Sequence, residues 1–166
     1  PRFLAVVGAS GSGKSSLVRA GMVPALRWNK ESADWDIHLL TPTAHPLEAV
    51  SVFLEKSASA GNRLLLVIDQ FEELFTLCRD ESERRAFVDN LMTAVTEPGG
   101  TTFVVLALRA DFYNQCAPYA ALRDALASQQ EYIGLMSAAE LRRAIEEPTK
   151  RGGWEFEPGL VDILLN

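Results

Sequence analysis

Short apolar runs alternate with amphipathic stretches along most of the chain. Five such runs predict strands, at residues 3–7, 36–40, 64–68, 102–108 and 132–135. Most of the stretches between them place apolar residues at the spacing of a helix. Because this alternation favours parallel strands covered by helices, we expect an α/β fold with helices on both faces of a central, mainly parallel, five-stranded sheet.

Glycines and prolines set the predicted ends of the helices. The first helix is predicted over residues 13–20, where Gly21 and then Pro24 interrupt it. The second helix is predicted to give way to a loop over residues 57–62. A late helix should break near Pro148, because proline cannot donate the hydrogen bond that a helix interior requires.

The composition fits a single domain with a core of its own. The chain has 166 residues, 48% of them apolar, and a formal net charge of −6. This charge provides no global field that would attract a nucleic-acid backbone, so the sequence gives no direct signal for nucleic acid. No apolar run approaches the roughly 18 residues that cross a bilayer, which argues against a membrane protein. With only two cysteines and no leader before the first strand, the expected location is cytoplasmic.

A glycine-rich segment between the first strand and the first helix carries the strongest chemical signal. Residues 8–15 read Gly-Ala-Ser-Gly-Ser-Gly-Lys-Ser and match the P-loop pattern G-x-x-x-x-G-K-[ST]. Glycines let backbone N–H groups point at phosphates, and the helix N-terminus adds partial positive charge. The predicted nucleotide-binding residues are Gly8, Ala9, Ser10, Gly11, Ser12, Gly13, Lys14, Ser15 and Ser16.

Within this loop, two side chains have predicted roles of their own. Lys14 is expected to contact the β and γ phosphates as a point charge. The hydroxyl of Ser15 is expected to coordinate Mg²⁺. Asp69, which follows the apolar run 64–68, is the second residue predicted to hold Mg²⁺, through water or through another group that contacts the metal.

Two glutamates follow Asp69 and supply candidates for a general base. Glu72 and Glu73 lie three and four residues further on, close enough for one of them to orient an attacking water. Both also fit the first turn of a helix, where the helix dipole favours carboxylates. The sequence does not decide between the two.

Arg109 is the third predicted catalytic residue. It follows the fourth strand, at the carboxyl edge where open parallel sheets bind their ligands. An arginine there can sense or neutralise the γ phosphate of a nucleotide. A structural ion pair with a nearby acid, such as Asp111, explains it equally well.

Several longer segments carry a resemblance to a known class of proteins. They read GSGKSSLVRAG at residues 11–21 followed by PALR at 24–27, IDQFEELF at 68–75, LRADF at 108–112, and ELRRAIEEP at 140–148. Together they resemble the STAND class of NTPases, most closely the bacterial branch often joined to WD40 repeats, kinase or caspase-like domains.

The resemblance implies a three-layer P-loop NTPase sandwich related to AAA+ ATPases, with Asp69 as the Walker B acid. It implies a signalling switch in a larger protein, in which ADP holds a closed form and slow Mg²⁺-dependent ATP hydrolysis resets the signal. It also implies fused sensor and effector domains as partners, and assembly with further copies of the protein into ATP-dependent homo-oligomers. A helical lid would begin near Glu157, so the predicted domains are the NTPase core, 1–156, and the start of a truncated lid, 157–166.

Other functions remain open at this point. A P-loop kinase that transfers phosphate to a small molecule would need a second substrate pocket and usually a basic lid, for which no motif is present. A non-catalytic interaction module that holds ADP permanently is the other alternative. A GTPase is disfavoured, because no N-K-x-D segment lies after a late strand.

Overall fold

The computed structural model describes residues 1–60 and 62–165, without the side chains of residues 55–60. The chain forms two compact units, Pro1–Ile133 and Gly134–Asn166. The predicted domain boundary near residue 157 stays a prediction. Among the described residues, no helix combines the length and the apolar character needed to span a bilayer.

The first unit contains five strands, and helices separate them along the chain. The strands are β1 (Phe3–Gly8), β2 (Asp36–Leu40), β3 (Leu64–Ile68), β4 (Thr102–Arg109) and β5 (Gln130–Ile133). The α-helices are α1 (Lys14–Ser16), α2 (Val23–Trp28), α3 (Pro46–Ala60), α4 (Glu73–Leu77), α5 (Glu81–Thr96) and α6 (Ala120–Ser128). A π-helical turn, Leu17–Met22, joins α1 to α2, and 3₁₀ turns cover Lys30–Ser32 and Ala110–Cys116.

The strands form one sheet in the order β2-β3-β4-β1-β5, and every pairing in it is parallel. Parallel pairing brings the carboxyl ends of the strands to one edge. Gly8 at the end of β1 lies between Arg109 of β4 and Ile133 of β5. The residue after β3, Asp69, follows at the same edge. The predicted α/β fold with a parallel five-stranded sheet is confirmed.

The core lies on both faces of the sheet. Alternate residues of β3 point to opposite faces, as strand geometry requires. Leu64 and Leu66 join a large cluster with side chains of α3, α5 and α6. Leu65 and Val67 join a smaller cluster with Val18 of the first helix. Since β3 is buried on both faces, its sequence is apolar throughout instead of alternating.

The first helix runs further than predicted, through Gly21 and Pro24 to Trp28. The predicted interruption is wrong because a π-helical turn accommodates Gly21 and Pro24 follows at the start of α2. In that turn the N–H of Val23 donates to the carbonyl of Val18, five residues earlier. Pro24 then occupies the first turn of α2, where its missing N–H costs little.

Two other predicted helix ends are also wrong. Helix α3 continues to Ala60, because alanine and serine at these positions permit a helix. The rest of the predicted loop includes Gly61, which lies outside the described residues. In the second unit, helix α7 (Ala138–Arg151) passes through Pro148. Proline removes only its own N–H, and its carbonyl still accepts from Gly152 at 3.0 Å.

The second unit consists of α7 and α8 (Leu160–Leu165). Helix α7 begins with a capping box, in which Ser137 and Glu140 each satisfy a backbone N–H of the other. On its exposed side Arg142 pairs with Glu146 at 3.2 Å. Near the end of the helix, Lys150 pairs with the same glutamate at 3.0 Å, so Arg142 and Lys150 belong to a solvated, ion-paired face.

Candidate nucleotide-binding site

A pocket of about 190 Å³ lies at the carboxyl edge of the sheet. It is lined by residues from the P-loop, the end of β3 and the end of β4: Ser10, Gly11, Lys14, Ser15, Asp69, Gln70, Glu72, Ala107 and Arg109. Residues predicted from three separate segments of the sequence therefore surround a single pocket. Glu73 is not among the lining residues.

Glycines give the P-loop a conformation that other residues would not adopt. Gly11 and Gly13 have φ angles of 76° and 90°, in the left-handed region. A Cβ on Gly8 would collide with the carbonyl oxygen of Ile133 on β5. The hydroxyl of Ser12 is buried in this loop and has no hydrogen-bond partner among the described residues. The loop thus has the shape of a phosphate cradle and an unsatisfied polar group within it.

Lys14 is folded back onto the loop that carries it. Its side chain is 8% exposed, and its Nζ donates to the carbonyls of Gly8 at 2.9 Å and Ala9 at 2.7 Å. Burial lowers the pKa of Lys14 from its ordinary value of 10.5, and the carboxylate of Glu72 opposes this shift. The amine therefore lies in the pocket with acceptors that phosphate oxygens could replace.

Asp69 is buried, and both of its oxygens accept hydrogen bonds. Oδ1 accepts from the hydroxyl of Ser15 at 2.8 Å and from the N–H of Gln70 at 2.9 Å. Oδ2 accepts from Nε of Arg19 at 2.5 Å. The second end of the same guanidinium donates to Oγ1 of Thr41 at 3.1 Å.

Arg19 was not assigned a role from the sequence. It lies four residues after Ser15, and residues four apart share one face of a helix. Since Ser15 was already predicted to lie beside Asp69, this spacing was the signal that could have identified Arg19 as well.

The Ser15–Asp69 pair fits Mg²⁺ in chemistry and number. Mg²⁺ prefers oxygen ligands and is commonly held by one or two protein groups together with substrate phosphates. The described residues contain no group of three or more His, Cys, Asp or Glu side chains that could hold a metal ion alone. The donors present therefore suit a metal that arrives with phosphate ligands of its own.

The structure distinguishes the two glutamates that the sequence left open. Glu72 lines the pocket, is 9% exposed, and accepts from the backbone N–H of Arg109 at 3.3 Å. Glu73 begins α4, and its backbone N–H closes a turn onto the carbonyl of Gln70 at 2.9 Å. The geometry favours Glu72 as the carboxylate that can reach a ligand in the pocket.

Arg109 lines the pocket and is also part of an ion pair. Its Nε and Nη2 donate to the two carboxylate oxygens of Asp111, at 3.1 and 2.6 Å. Its guanidinium also lies over the ring of Phe112, 5.3 Å from the centroid. The hydrogen bonds from Arg109 lower the pKa of Asp111. Both interpretations offered for this residue from the sequence are therefore compatible with its position.

Gln70 lines the pocket and was also not assigned a role from the sequence. It has a φ angle of 52°, and no other non-glycine residue described has a positive φ. A residue without β-branching tolerates this region at a cost, and such strain concentrates at functional sites. Its position directly after a buried apolar strand gave no sign of this conformation.

The whole chain, residues 1–166, matches the model of a protein family described as Novel STAND NTPase 1. The chain belongs to this family. The resemblance to STAND NTPases is thereby confirmed, and this novel STAND NTPase domain is a nucleotide-binding domain of the NTPase type. None of the curated proteins matches its sequence significantly.

Solved structures of an ORC2 protein and of the replication initiator DnaA share the fold of the novel STAND NTPase domain. The ORC2 protein of Aeropyrum pernix, in ADPNP-ADP complexes, aligns with a TM-score of 0.63 and 13% identity over 89% of this chain and 45% of its own. DnaA bound to AMPPCP and single-stranded DNA aligns with a TM-score of 0.65 and 15% identity, over 99% of this chain and 50% of its own. The chain spans half or less of the length of these proteins. At such identities the likeness shows the fold alone.

Proposed function

We propose that this domain binds ATP with Mg²⁺ and acts as a regulatory switch that hydrolyses ATP slowly. The observation that carries the proposal is the pocket itself, in which Lys14, the Ser15–Asp69 pair and Glu72 meet around the P-loop. The choice of ATP is supported by the nucleotides in the similar structures, ADPNP and ADP in ORC2 and AMPPCP in DnaA.

The P-loop would hold the phosphates. Its backbone N–H groups and the N-terminus of the first helix favour negative charge. Lys14 would exchange its bonds to the carbonyls of Gly8 and Ala9 for bonds to phosphate oxygens, which carry full charge and therefore bind the ammonium more strongly.

Ser15 and Asp69 would hold Mg²⁺ together with the phosphates. When bound, the ion supplies positive charge that stabilises the negative charge developing on the transferred phosphoryl group. Asp69 keeps the Ser15 hydroxyl oriented through the bond between Oγ and Oδ1.

Glu72 would act as the general base. Its carboxylate lies in the pocket, and the N–H of Arg109 fixes one of its oxygens. The other oxygen can accept a proton from a water molecule that attacks the terminal phosphate. Arg109, at the rim of the same pocket, would sense or neutralise the γ phosphate.

The regulatory part of the proposal is supported by family membership. We propose fused sensor and effector domains, ATP-dependent homo-oligomers and a cytoplasmic location for the whole protein. We also propose that residues 1–156 form the NTPase core and that 157–166 begin a helical lid.

Calorimetric titration tests the proposal. ATP, ADP and GTP with Mg²⁺ are titrated into the domain and into Lys14→Ala. We expect micromolar affinity for ATP and ADP, about −8 kcal/mol, weaker binding of GTP, and at least about a hundredfold loss in Lys14→Ala, because a phosphate charge partner is removed. Lys30→Ala is the matched control, since Lys30 is an exposed lysine in a 3₁₀ turn away from the lining residues.

Two results would change the account. ATP binding that Lys14→Ala leaves unchanged would place the nucleotide elsewhere and contradict the proposal. Tight ADP retention without turnover would instead favour a non-catalytic ADP-binding module.

A further inference from the structure

The carboxylate of Asp69 is neutralised by a cation from its own chain. Asp69 is 1% exposed, whereas the side chain of Arg19 is 44% exposed. Nε of Arg19 lies 2.5 Å from Oδ2. A buried carboxylate without a charge partner is costly, so this pair stabilises the domain when no metal is present.

The same pair places a positive charge next to the Mg²⁺ site. A carboxylate offers about four acceptor positions on its two oxygens. On Asp69, Ser15 and Gln70 occupy Oδ1, and Arg19 occupies Oδ2. A metal held beside Ser15, or a water bound to that metal, would have to share this carboxylate with a guanidinium. Two cations at one buried carboxylate repel each other.

We propose that Arg19 is the resident counter-cation of this site and competes with Mg²⁺ for Asp69. The inference rests on the proposed binding of Mg²⁺ and nucleotide. With the site empty, Arg19 neutralises Asp69. When Mg²⁺ and nucleotide bind, the bond from Nε to Oδ2 weakens or breaks. Arg19 therefore sets how much Mg²⁺ adds to nucleotide affinity.

The surroundings of Arg19 allow its guanidinium to release Asp69. Its other end donates to Oγ1 of Thr41, in the segment after β2, at 3.1 Å. Its side chain is almost half exposed, so the guanidinium has water to replace the bond it loses. Asp69 has no such route to solvent. Arg19, and not Asp69, is therefore the residue that can leave the pair.

Titrations of ATP with Mg²⁺ and with EDTA test the competition. The measured quantity is the Mg²⁺ gain, the ratio of the two affinities. In Arg19→Gln we expect this gain to rise by about threefold to tenfold, an effect limited by solvent screening of a half-exposed arginine. Arg19→Lys keeps the charge and should stay closer to the wild type. Arg27→Gln is the matched control: the same change of charge, at an exposed arginine later in the same helix.

A second measurement uses the wild type and does not depend on how well a variant folds. The ¹⁵N–¹H NMR signal of Arg19 Nε should mark a bonded, slowly exchanging proton in the empty domain. We expect ATP with EDTA to leave the signal in place and ATP with Mg²⁺ to shift or broaden it. The absence of this signal from Arg19→Lys spectra assigns it.

The outcomes separate this inference from the proposed function. If the wild type binds no nucleotide with Mg²⁺, the proposed function fails first. If the wild type binds, but Arg19→Gln shows an equal or smaller Mg²⁺ gain, Arg19 does not compete with the metal. An unchanged Nε signal in the presence of Mg²⁺ and ATP would overturn the inference in the same way.

Discussion

Two cavities lie at opposite ends of the strands and differ in size and in chemistry. The larger cavity, about 550 Å³, lies at the amino end of β4. Its lining includes Gly99, Gly100 and residues of α3 and α5. Among its lining residues only Glu97 is charged. The P-loop pocket is about 190 Å³, yet Lys14, Asp69, Glu72 and Arg109 all line it. The concentration of charge, rather than volume, identifies the site.

Two backbone carbonyls that line the larger cavity have a structural partner. Arg2 donates to the carbonyls of Ala94 and Glu97 and so caps the C-terminal end of α5. In the P-loop pocket, by contrast, Gln70 is held at positive φ, and in the adjoining loop the hydroxyl of Ser12 lacks a partner among the described residues. This is the edge where the strands end and where open parallel sheets bind ligands, and backbone strain is common at such sites.

The largest effect that would sharpen the comparison of the two cavities is on the rate of ATP hydrolysis. Glu72→Gln keeps the size of the side chain and removes the base, so we expect ATP hydrolysis to fall by about 10²-fold to 10⁴-fold, with ATP affinity nearly unchanged. Single-turnover hydrolysis assays measure it. Glu73→Gln is the matched variant and should lose far less. If Glu73→Gln loses the activity and Glu72→Gln does not, the assignment of the base is reversed.

The next effect is on the pH dependence of binding. Because burial lowers the pKa of Lys14 from 10.5, the lysine loses its charge at a lower pH than an exposed lysine would. Above that pKa, ATP affinity should fall by up to about tenfold per pH unit. Calorimetry from pH 7 to about pH 11 measures the fall, because this range includes the ordinary lysine pKa of 10.5.

With rising pH, the contribution of Lys14 to the free energy of unfolding should change in the opposite direction from ATP affinity. Between its lowered folded pKa and 10.5, the unfolded state binds more protons, so the contribution of Lys14 to the free energy of unfolding rises with pH. ATP affinity that stays constant to above pH 10.5, the ordinary pKa of a lysine, would show that Lys14 does not carry the interaction with phosphate.

The smallest effect compares one backbone position in each cavity. Gln70 and Gly99 both have positive φ, 52° and 72°. Gln70→Gly relieves strain and should raise the free energy of unfolding by about 0.5–1 kcal/mol. Gly99→Ala introduces backbone strain and should lower the free energy of unfolding by about 1–2 kcal/mol. An added Cβ meets no atom within 4 Å, so no steric clash adds to this effect. Urea denaturation measures both changes.

The functional readout of this pair should differ as well. Gln70→Gly removes a side chain that lines the P-loop pocket, so we expect slower ATP hydrolysis from a more stable protein. Gly99→Ala should leave hydrolysis by the folded protein unchanged. If Gln70→Gly destabilises the domain, its positive φ is not a source of strain.

The sequence predicted the sheet and the P-loop well because both depend on local patterns. The run at 64–68 is fully apolar, and a strand buried on both faces needs that composition. The motif around Lys14 combines its glycine spacing with a predicted place between a strand and a helix. The structure confirms that place, between β1 and α1. Asp69 followed from its position at the end of that apolar run.

The remaining features depend on tertiary contacts or on small backbone adjustments. A π-helical turn carries the first helix past Gly21, and local propensity does not reveal such a turn. The separation of Glu72 from Glu73 depends on which of them points toward the end of β4. The bond of Arg19 to Asp69 joins residues 50 positions apart, so only helical spacing from Ser15 hinted at it.

Hydrogen–deuterium exchange with and without ATP and Mg²⁺ tests the central claim most directly, because it reports on both cavities in one experiment. The P-loop account predicts that ATP slows exchange of the backbone N–H groups of residues 8–16 and leaves residues 97–102, beside the larger cavity, unchanged. Slower exchange at residues 97–102 with no change at residues 8–16 would contradict it.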